Sequence, residues 1–308
     1  MDKSTVNIDE ICESNKPCVI AIGMFDGLHK GHQKVISKTL ELAKKHRADA
    51  CVLTFSPHPS KIIDMGRAPV EMLCTKQQRA DMFKSAGIKK VFVKKFTKKF
   101  AQMSPESFAK MLRKKFPNLK AIVTGYNFLF GKNASGNAKT LKELSEKNGW
   151  EYSAVKGVYL PDGRRISSSE MRKAVRAGKM DEFKKMKGAF YSCIGCVKRG
   201  KQLGRKIGFP TLNLPWNTDC KLPYGVYVVE LTRIRTGEKF KGVASYGTSP
   251  TFEETEPLLE VHLFKKVSFG APSKVEVKIK KFLRPQIKFD SVDALIEQIK
   301  KDKKEAKS

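Results

Sequence analysis

The stretch Gly23-Met24-Phe25-Asp26-Gly27-Leu28-His29-Lys30-Gly31-His32 follows an apolar run at 18–22 and opens a helical pattern over 33–45. A short strand running through a glycine-rich turn into a helix is the unit from which parallel α/β sheets are built. Ligands of such sheets bind beyond the carboxyl ends of the strands, in loops like this one. Gly27 and Gly31 remove side-chain bulk where backbone must approach a phosphate. The helix start offers the same anion unpaired N–H groups and a positive dipole end. Gly23, Phe25 and Asp26 lie in the same turn and join Gly27 and Gly31 as candidate nucleotide- or phosphate-binding residues. His29 and His32, at i and i+3, project from one side of the turn. Two imidazoles aimed at one phosphate can stabilise the charge that develops when a nucleotide's α-phosphate is attacked. The turn holds no nucleophile, which favours direct in-line transfer. The bland alternative is a pair of helix-capping histidines beside a tight turn.

Outward from this turn the rhythm persists. Strand-like runs at 18–22, 50–55, 91–93, 121–124 and 152–158 are separated by helical patterns at 33–45, 76–86, 105–115 and 139–147, and a further helix opens near 168. This predicts an α/β domain over 1–186 with a parallel, Rossmann-like sheet covered on both faces. Past residue 187 the pattern changes to strands at 191–197, 225–234, 240–245, 258–264 and 274–282, with one closing helix at about 292–303. Val275, Val277 and Ile279 alternate with Glu276, Lys278 and Lys280, the period-2 signature of a strand buried on one face. A small antiparallel β-barrel with a terminal helix is expected over 187–308.

The second domain carries its own glycine-rich segment, Gly195-Cys196-Val197-Lys198-Arg199-Gly200-Lys201-Gln202-Leu203-Gly204-Arg205-Lys206-Ile207-Gly208-Phe209-Pro210-Thr211-Leu212-Asn213-Leu214. It suits a loop folding over phosphates but lacks the Gly-Lys-Ser/Thr spacing of a Walker loop. Gly204, Gly208 and Pro210 are candidate nucleotide-binding residues. Thr211 and Asn213, two apart, face the same way in an extended segment, and their hard oxygens suit Mg²⁺ together with substrate phosphates. A β-turn with incidental polar residues reads equally well. Cys193-Ile194-Gly195-Cys196 has metal-site spacing, but strand geometry sends its two thiols to opposite faces and no second pair lies nearby.

Bulk properties bound the rest. The 308 residues are 40% hydrophobic, enough for two folded domains. No apolar run spans a bilayer, and the polar first 17 residues lack a secretory layout. An odd count of seven scattered cysteines fits reduced thiols, so a cytoplasmic protein is expected. The net charge of +30 invites a nucleic-acid reading, yet both halves are basic and the paired lysines lie on amphipathic segments. Aromatics do not interleave with the basic runs as stacking platforms would.

The histidine-bearing turn resembles the H-x-G-H nucleotidyltransferases, and its context narrows the likeness. Thr54-Phe55-Ser56-Pro57-His58-Pro59, Thr124-Gly125-Tyr126-Asn127-Phe128-Leu129-Phe130-Gly131 and Arg165-Ile166-Ser167-Ser168-Ser169-Glu170-Met171-Arg172 appear in order. Together they look like the adenylyltransferase module of the bacterial bifunctional riboflavin kinase/FMN adenylyltransferases, or FAD synthetases. Gly-Phe-Pro-Thr-x-Asn resembles the riboflavin kinase motif. It is followed by Pro223-Tyr224-Gly225-Val226-Tyr227, Gly247-Thr248-Ser249-Pro250-Thr251-Phe252, Leu259-Glu260-Val261-His262-Leu263-Phe264 and Phe282-Leu283-Arg284. Leu212, Lys265-Lys266 and Phe269 depart from the family pattern.

The resemblance implies riboflavin phosphorylation to FMN in the second domain and FMN adenylylation to FAD in the first, with ATP as co-substrate, Mg²⁺ in both steps and no membrane or nucleic-acid partner. Asn127, Arg165, Ser168, Ser169 and Arg172 become candidate nucleotide or phosphate ligands, His58 and Phe128 candidate flavin contacts, and Glu260 the candidate base. The serines fit ordinary N-capping as well, and His58 between two prolines fits a rigid loop. The rival readings are a chain with one degenerate domain and a basic nucleic-acid binder on a nucleotidyltransferase fold.

Overall fold

The computed structural model describes residues 5–9, 15–64, 66, 68–200, 203–248 and 257–307. Lys201, Gln202 and the motif residues Ser249, Pro250, Thr251 and Phe252 lie outside them. The chain divides into two compact units, 1–168 and 169–308. Residues 169–186, assigned above to the first domain, fall in the second unit.

The first unit is built on strands β1 (Thr5–Asn7), β2 (Cys18–Ile22), β3 (Asp49–Ser56), β4 (Lys90–Lys95), β5 (Leu119–Gly125) and β6 (Glu151–Val155). All pair in parallel, in the order β1-β4-β3-β2-β5-β6. Helices α1 (Lys30–Lys45), α2 (Lys76–Ser85), α3 (Lys98–Ala101), α4 (Pro105–Lys115) and α5 (Ala138–Lys147) intervene. Every residue of β2 is buried, and its pleat divides them between two cores. Cys18, Ile20 and Ile22 pack with Phe108, Leu112 and Phe116, whereas Val19 and Ala21 pack with Val35, Ile36 and Leu42 of α1. Each fully buried Leu, Ile or Phe contributes about 1.5–3 kcal/mol, so the central strand is held from both faces. Local signals start the helices: Thr75 and Gln78 form a capping box at α2, and Ser104 caps α4 ahead of Pro105.

This strand order positions the site. The chain runs outward from β2 through β3 to β4, then returns to the other side of β2 as β5. The direction reverses between β2 and β5, so the loops leaving these two strands flank the crevice where such sheets bind ligands.

The second unit contains α6 (Ser168–Arg176, from its second residue), α7 (Met180–Lys187), β7 (Tyr191–Cys196), α8 (Leu203–Lys206), β8 (Leu212–Pro215), β9 (Gly225–Arg233), β10 (Lys239–Gly247), β11 (Leu258–Leu263), β12 (Lys274–Pro285) and α9 (Val292–Glu305). Its six antiparallel strands follow the order β7-β12-β9-β10-β11-β8. Lys198, just past β7, bridges to Asn213 of β8, which nearly closes the barrel. Val275, Val277 and Ile279 point inward beside Tyr191, Tyr227 and Leu231, all buried, as the period-2 pattern predicts. Cys193 is buried and Cys196 exposed, on opposite faces of β7. Helix α9 is fastened by a two-pronged pair: Arg284 Nε and Nη2 donate to Asp302 Oδ1 and Oδ2 at 2.8 and 2.7 Å. Among the described residues no helix is long and apolar enough to cross a membrane.

Candidate active sites

In the first unit, the turn leaving β2 takes left-handed backbone at Phe25 (φ 52°), Gly27 (φ 74°) and Leu28 (φ 46°). Left-handed non-glycine residues cost about 1–2 kcal/mol each. Tertiary contacts offset that cost. The buried Phe25 ring meets Phe83 and His32 edge-on at 5.5 and 5.2 Å. The Met24 carbonyl accepts from Arg79 Nη1 at 3.0 Å. Asp26, a sequence candidate for the nucleotide, is buried with both carboxylate oxygens accepting from the Leu73 N–H at 3.0 and 3.2 Å. It braces the segment before α2.

His29 is the N-cap of α1. Its Nδ1 accepts from the His32 N–H at 3.2 Å, which places the single proton of the neutral ring on Nε2. The His29 and His32 rings stack at 3.7 Å, 17° apart. Burial and the nearby Arg165 charge push His29 down to about 4. Burial and the neighbouring His29 hold His32 well below the usual histidine range. Both imidazoles are therefore neutral near pH 7, and the Nε2–H of His29 remains available as a donor. His32 Nδ1 is enclosed and has no partner among the described residues. A Cβ on Gly31 would sit 3.0 Å from the His29 ring, so this glycine makes room for the imidazole.

The loop leaving β5 supplies the other wall. Arg165 Nη1 donates to Tyr126 Oη at 2.9 Å, and Tyr126 also bonds Tyr159. Tyr126, Leu129 and Tyr159 are exposed aromatic or apolar side chains on this rim. Asn127 is exposed beside Gly125, where a Cβ would crowd its Oδ1 at 3.3 Å. Phe128 is half-buried and stacks on Phe130 at 5.6 Å. His58 turns inward on its own loop, its Nδ1 2.8 Å from Ser60 Oγ. Oγ of Ser168, the last residue of this unit, donates to the Asp26 carbonyl at 2.8 Å. Ser169 and Arg172 lie on α6 in the second unit, with Arg172 Nη2 donating to Ser169 Oγ at 3.4 Å. Arg79, Tyr126 and Tyr159 escaped the sequence reading. A lone arginine in a polar helix and tyrosines in loops carry no distinguishing spacing.

In the second unit, strands β8 and β11 place Asn213 directly opposite Glu260. With its amide nitrogen toward the carboxylate, Asn213 donates to Glu260 Oε1 at 3.3 Å and accepts from the Gly200 N–H at 3.2 Å. A Cβ on Gly200 would fall 1.6 Å from the Asn213 side-chain amide, which would have to move away. Desolvation by the surrounding walls raises the Glu260 carboxyl above the usual range, although its side chain still meets solvent. Gly204 is just as constrained: a Cβ would lie 2.3 Å from the Phe209 carbonyl. Gly208 has φ 84°. Gly204 lies within the single helical turn α8, where the sequence suggested open loop. Pro210 and Thr211 lead directly into β8, so Thr211 and Asn213 stand on one extended segment as their spacing predicted.

The Thr211 hydroxyl and the Asn213 amide oxygen make a pair of hard-oxygen donors on this segment, apart from the Glu260 carboxylate. It suits Mg²⁺, which takes one or two protein ligands and leaves its other positions for phosphates and water.

With this geometry in hand, comparison with known proteins is direct. A family described as FAD synthetase matches residues 11–170, and one described as riboflavin kinase matches residues 187–308. A bifunctional riboflavin kinase/FMN adenylyltransferase of Listeria monocytogenes is 33% identical, covering 98% of this chain and 95% of its own length. Its Bacillus subtilis counterpart is 34% identical over 96% and 93%. The Escherichia coli one is 30% identical over 92% and 90%. A crystal structure from Streptococcus pneumoniae, named a macrolide-efflux protein, superposes with TM-score 0.87 at 29% identity over 99% of both chains. Its fold is shared; its name describes that protein alone.

Proposed function

The chain belongs to the bifunctional riboflavin kinase/FMN adenylyltransferases, and on that premise we propose how its residues divide the work. The second domain phosphorylates riboflavin to FMN, and the first adenylylates FMN to FAD, with ATP as co-substrate in both.

For adenylylation, the neutral His29 and His32 donate hydrogen bonds to the α-phosphate of ATP as its oxygens gain charge under attack by the FMN phosphate. Pyrophosphate leaves along the line of attack. Arg165, oriented by Tyr126, counters phosphate charge, and Asn127 orients the nucleotide from the opposite loop. Ser168, Ser169 and Arg172 are proposed phosphate contacts on their place in the motif, and Phe128 and His58 flavin contacts on the same ground. Neutral donors suit this step because they strengthen as negative charge develops and hold the ground-state triphosphate less tightly than cations would.

For the kinase step, Glu260 accepts the proton of the ribityl hydroxyl. A primary alcohol needs that help, and a carboxyl raised by desolvation is a stronger base than one free in water. Thr211 and Asn213 are the residues that would hold Mg²⁺, whose charge offsets that of the transferring phosphoryl group. Gly204, Gly208 and Pro210 shape the backbone over the nucleotide.

The observation that carries this reading is the pairing of Glu260 with Asn213 across β11 and β8, on a barrel that belongs to a separate compact unit. The test is separation. Residues 169–308, the second compact unit, expressed alone should convert riboflavin to FMN with ATP and Mg²⁺, read by chromatography, and make no FAD. A folded fragment that forms no FMN would remove the kinase from this domain.

A further inference from the structure

His262 follows Glu260 by two residues on β11, so both side chains leave the same face of the strand. Its Nδ1–H donates to the Pro210 carbonyl at 3.0 Å. Its ring meets Phe209 edge-on at 5.4 Å and is almost wholly buried. Nε2, the acceptor in this tautomer, is enclosed without a partner among the described residues. An unpaired buried acceptor costs about 1–3 kcal/mol, and a phenyl ring would fill the same space without that cost. What histidine adds over phenylalanine is the Nδ1–H on Pro210.

That bond falls at a telling place. Glu260 meets Asn213, and His262 meets Pro210, so one face of β11 grips both ends of the segment Pro210-Thr211-Leu212-Asn213. Thr211 lies between the grips. The preceding turn offers a second anchor through the Phe209 N–H, which donates to the Gly204 carbonyl at 2.7 Å. A peptide carbonyl held on one side fixes the plane of the bond that leads into Thr211 and so restricts where its side chain can stand.

We propose that His262 is a positioning residue of the kinase: by clasping the Pro210 carbonyl it sets Thr211 for the nucleotide–Mg²⁺ complex. This rests on the role of Thr211 given above. Neither residue is required to touch riboflavin for the clasp to work, so its loss should fall on one substrate.

The experiment uses the full chain and three variants. His262→Phe keeps the ring and removes the donor, His262→Asn restores a donor amide at similar reach, and Thr211→Ala removes the hydroxyl. In riboflavin phosphorylation, His262→Phe should raise the KM for ATP and the Mg²⁺ concentration needed for half-activity by about tenfold, the scale of one net hydrogen bond. The riboflavin KM should change less than twofold, FMN adenylylation should be unaffected, and His262→Asn should recover most of the loss. Equal rises in both substrate constants, or no rescue by asparagine, would reduce His262 to a packing residue. An unchanged ATP and Mg²⁺ dependence in His262→Phe, alongside a changed one in Thr211→Ala, would overturn the clasp alone. If Thr211→Ala is itself unchanged, the role of Thr211 fails first and the clasp with it.

Discussion

The two glycine-rich segments of this chain solve different electrostatic problems. The turn at 23–32 buries two stacked imidazoles and keeps them neutral, whereas in the second segment Asn213 sets its amide beside the carboxylate of Glu260, whose pKa is raised. Adenylylation uses a phosphate, already a competent nucleophile, so the enzyme needs donors for the charge that develops. Phosphorylating an alcohol requires a base and a counter-charge. The glycines reflect this difference. Gly31 yields space to an imidazole, and Gly200 to the amide that faces Glu260.

The largest expected effect lies at Glu260, the proposed base. Glu260→Gln keeps shape and hydrogen bonding but removes basicity, and should lower riboflavin phosphorylation by about 10²–10⁴ with FMN adenylylation intact. Near-normal turnover would end its role as base. On the other side, His29→Ala or His32→Ala should reduce FAD formation from FMN by about 10²–10³ and leave FMN formation alone. Parallel loss of both activities would point to misfolding.

The glycines sharpen the contrast at smaller scale. Gly200→Ala forces the Asn213 amide off Glu260, and a displacement near 1 Å costs about 10²-fold in rate. Gly31→Ala needs only a few tenths of an ångström from the His29 ring and should cost adenylylation less than about tenfold. Kinetics of the two single variants in one assay would reveal an inverted order.

Acidification separates the halves most gently. Kinase activity should decline first, as protons reach a Glu260 carboxyl whose pKa is raised, while adenylylation holds until His29 protonates near its pKa of about 4. A protonated His29 Nδ1 can no longer accept from the His32 N–H. The same shift has a stability consequence. His29 is lowered from 6.5, so between about pH 6.5 and 4 the unfolded chain binds the extra proton. The stabilisation from a neutral His29 is complete above that window and lost as pH falls through it. His29→Gln should flatten this slope in thermal unfolding followed from pH 7 to 4, and an unchanged slope would assign it to other groups.

Much of this architecture was legible in the chain. Helix α4 begins and ends where its Ser104-Pro105 start and amphipathic pattern predict, and the five anticipated barrel strands all form. Strand β8 was not anticipated, because Leu212-Asn213-Leu214-Pro215 is short, lies close behind Pro210 and ends in proline; pairing with β11 makes it a strand. β1 is three residues of edge strand, ordered by β4. Helix α7 did carry a signal, Met180, Phe183 and Met186 at helical spacing, all buried.

Periodicity and local chemistry are properties of neighbouring residues, which is why the two architectures, the histidine turn and the Thr211–Asn213 spacing can be read along the chain. Hydrogen-bond partners come from far along it, so which polar groups are already engaged depends on how the chain folds. Asp26 is held by Leu73, 47 residues away, and Ser168 by the Asp26 carbonyl, 142 away. His262 holds Pro210 across 52 residues, and Asn213 divides its amide between Gly200 and Glu260. A buried polar group must be satisfied by whatever the fold brings beside it, and that neighbour is written nowhere in the local sequence.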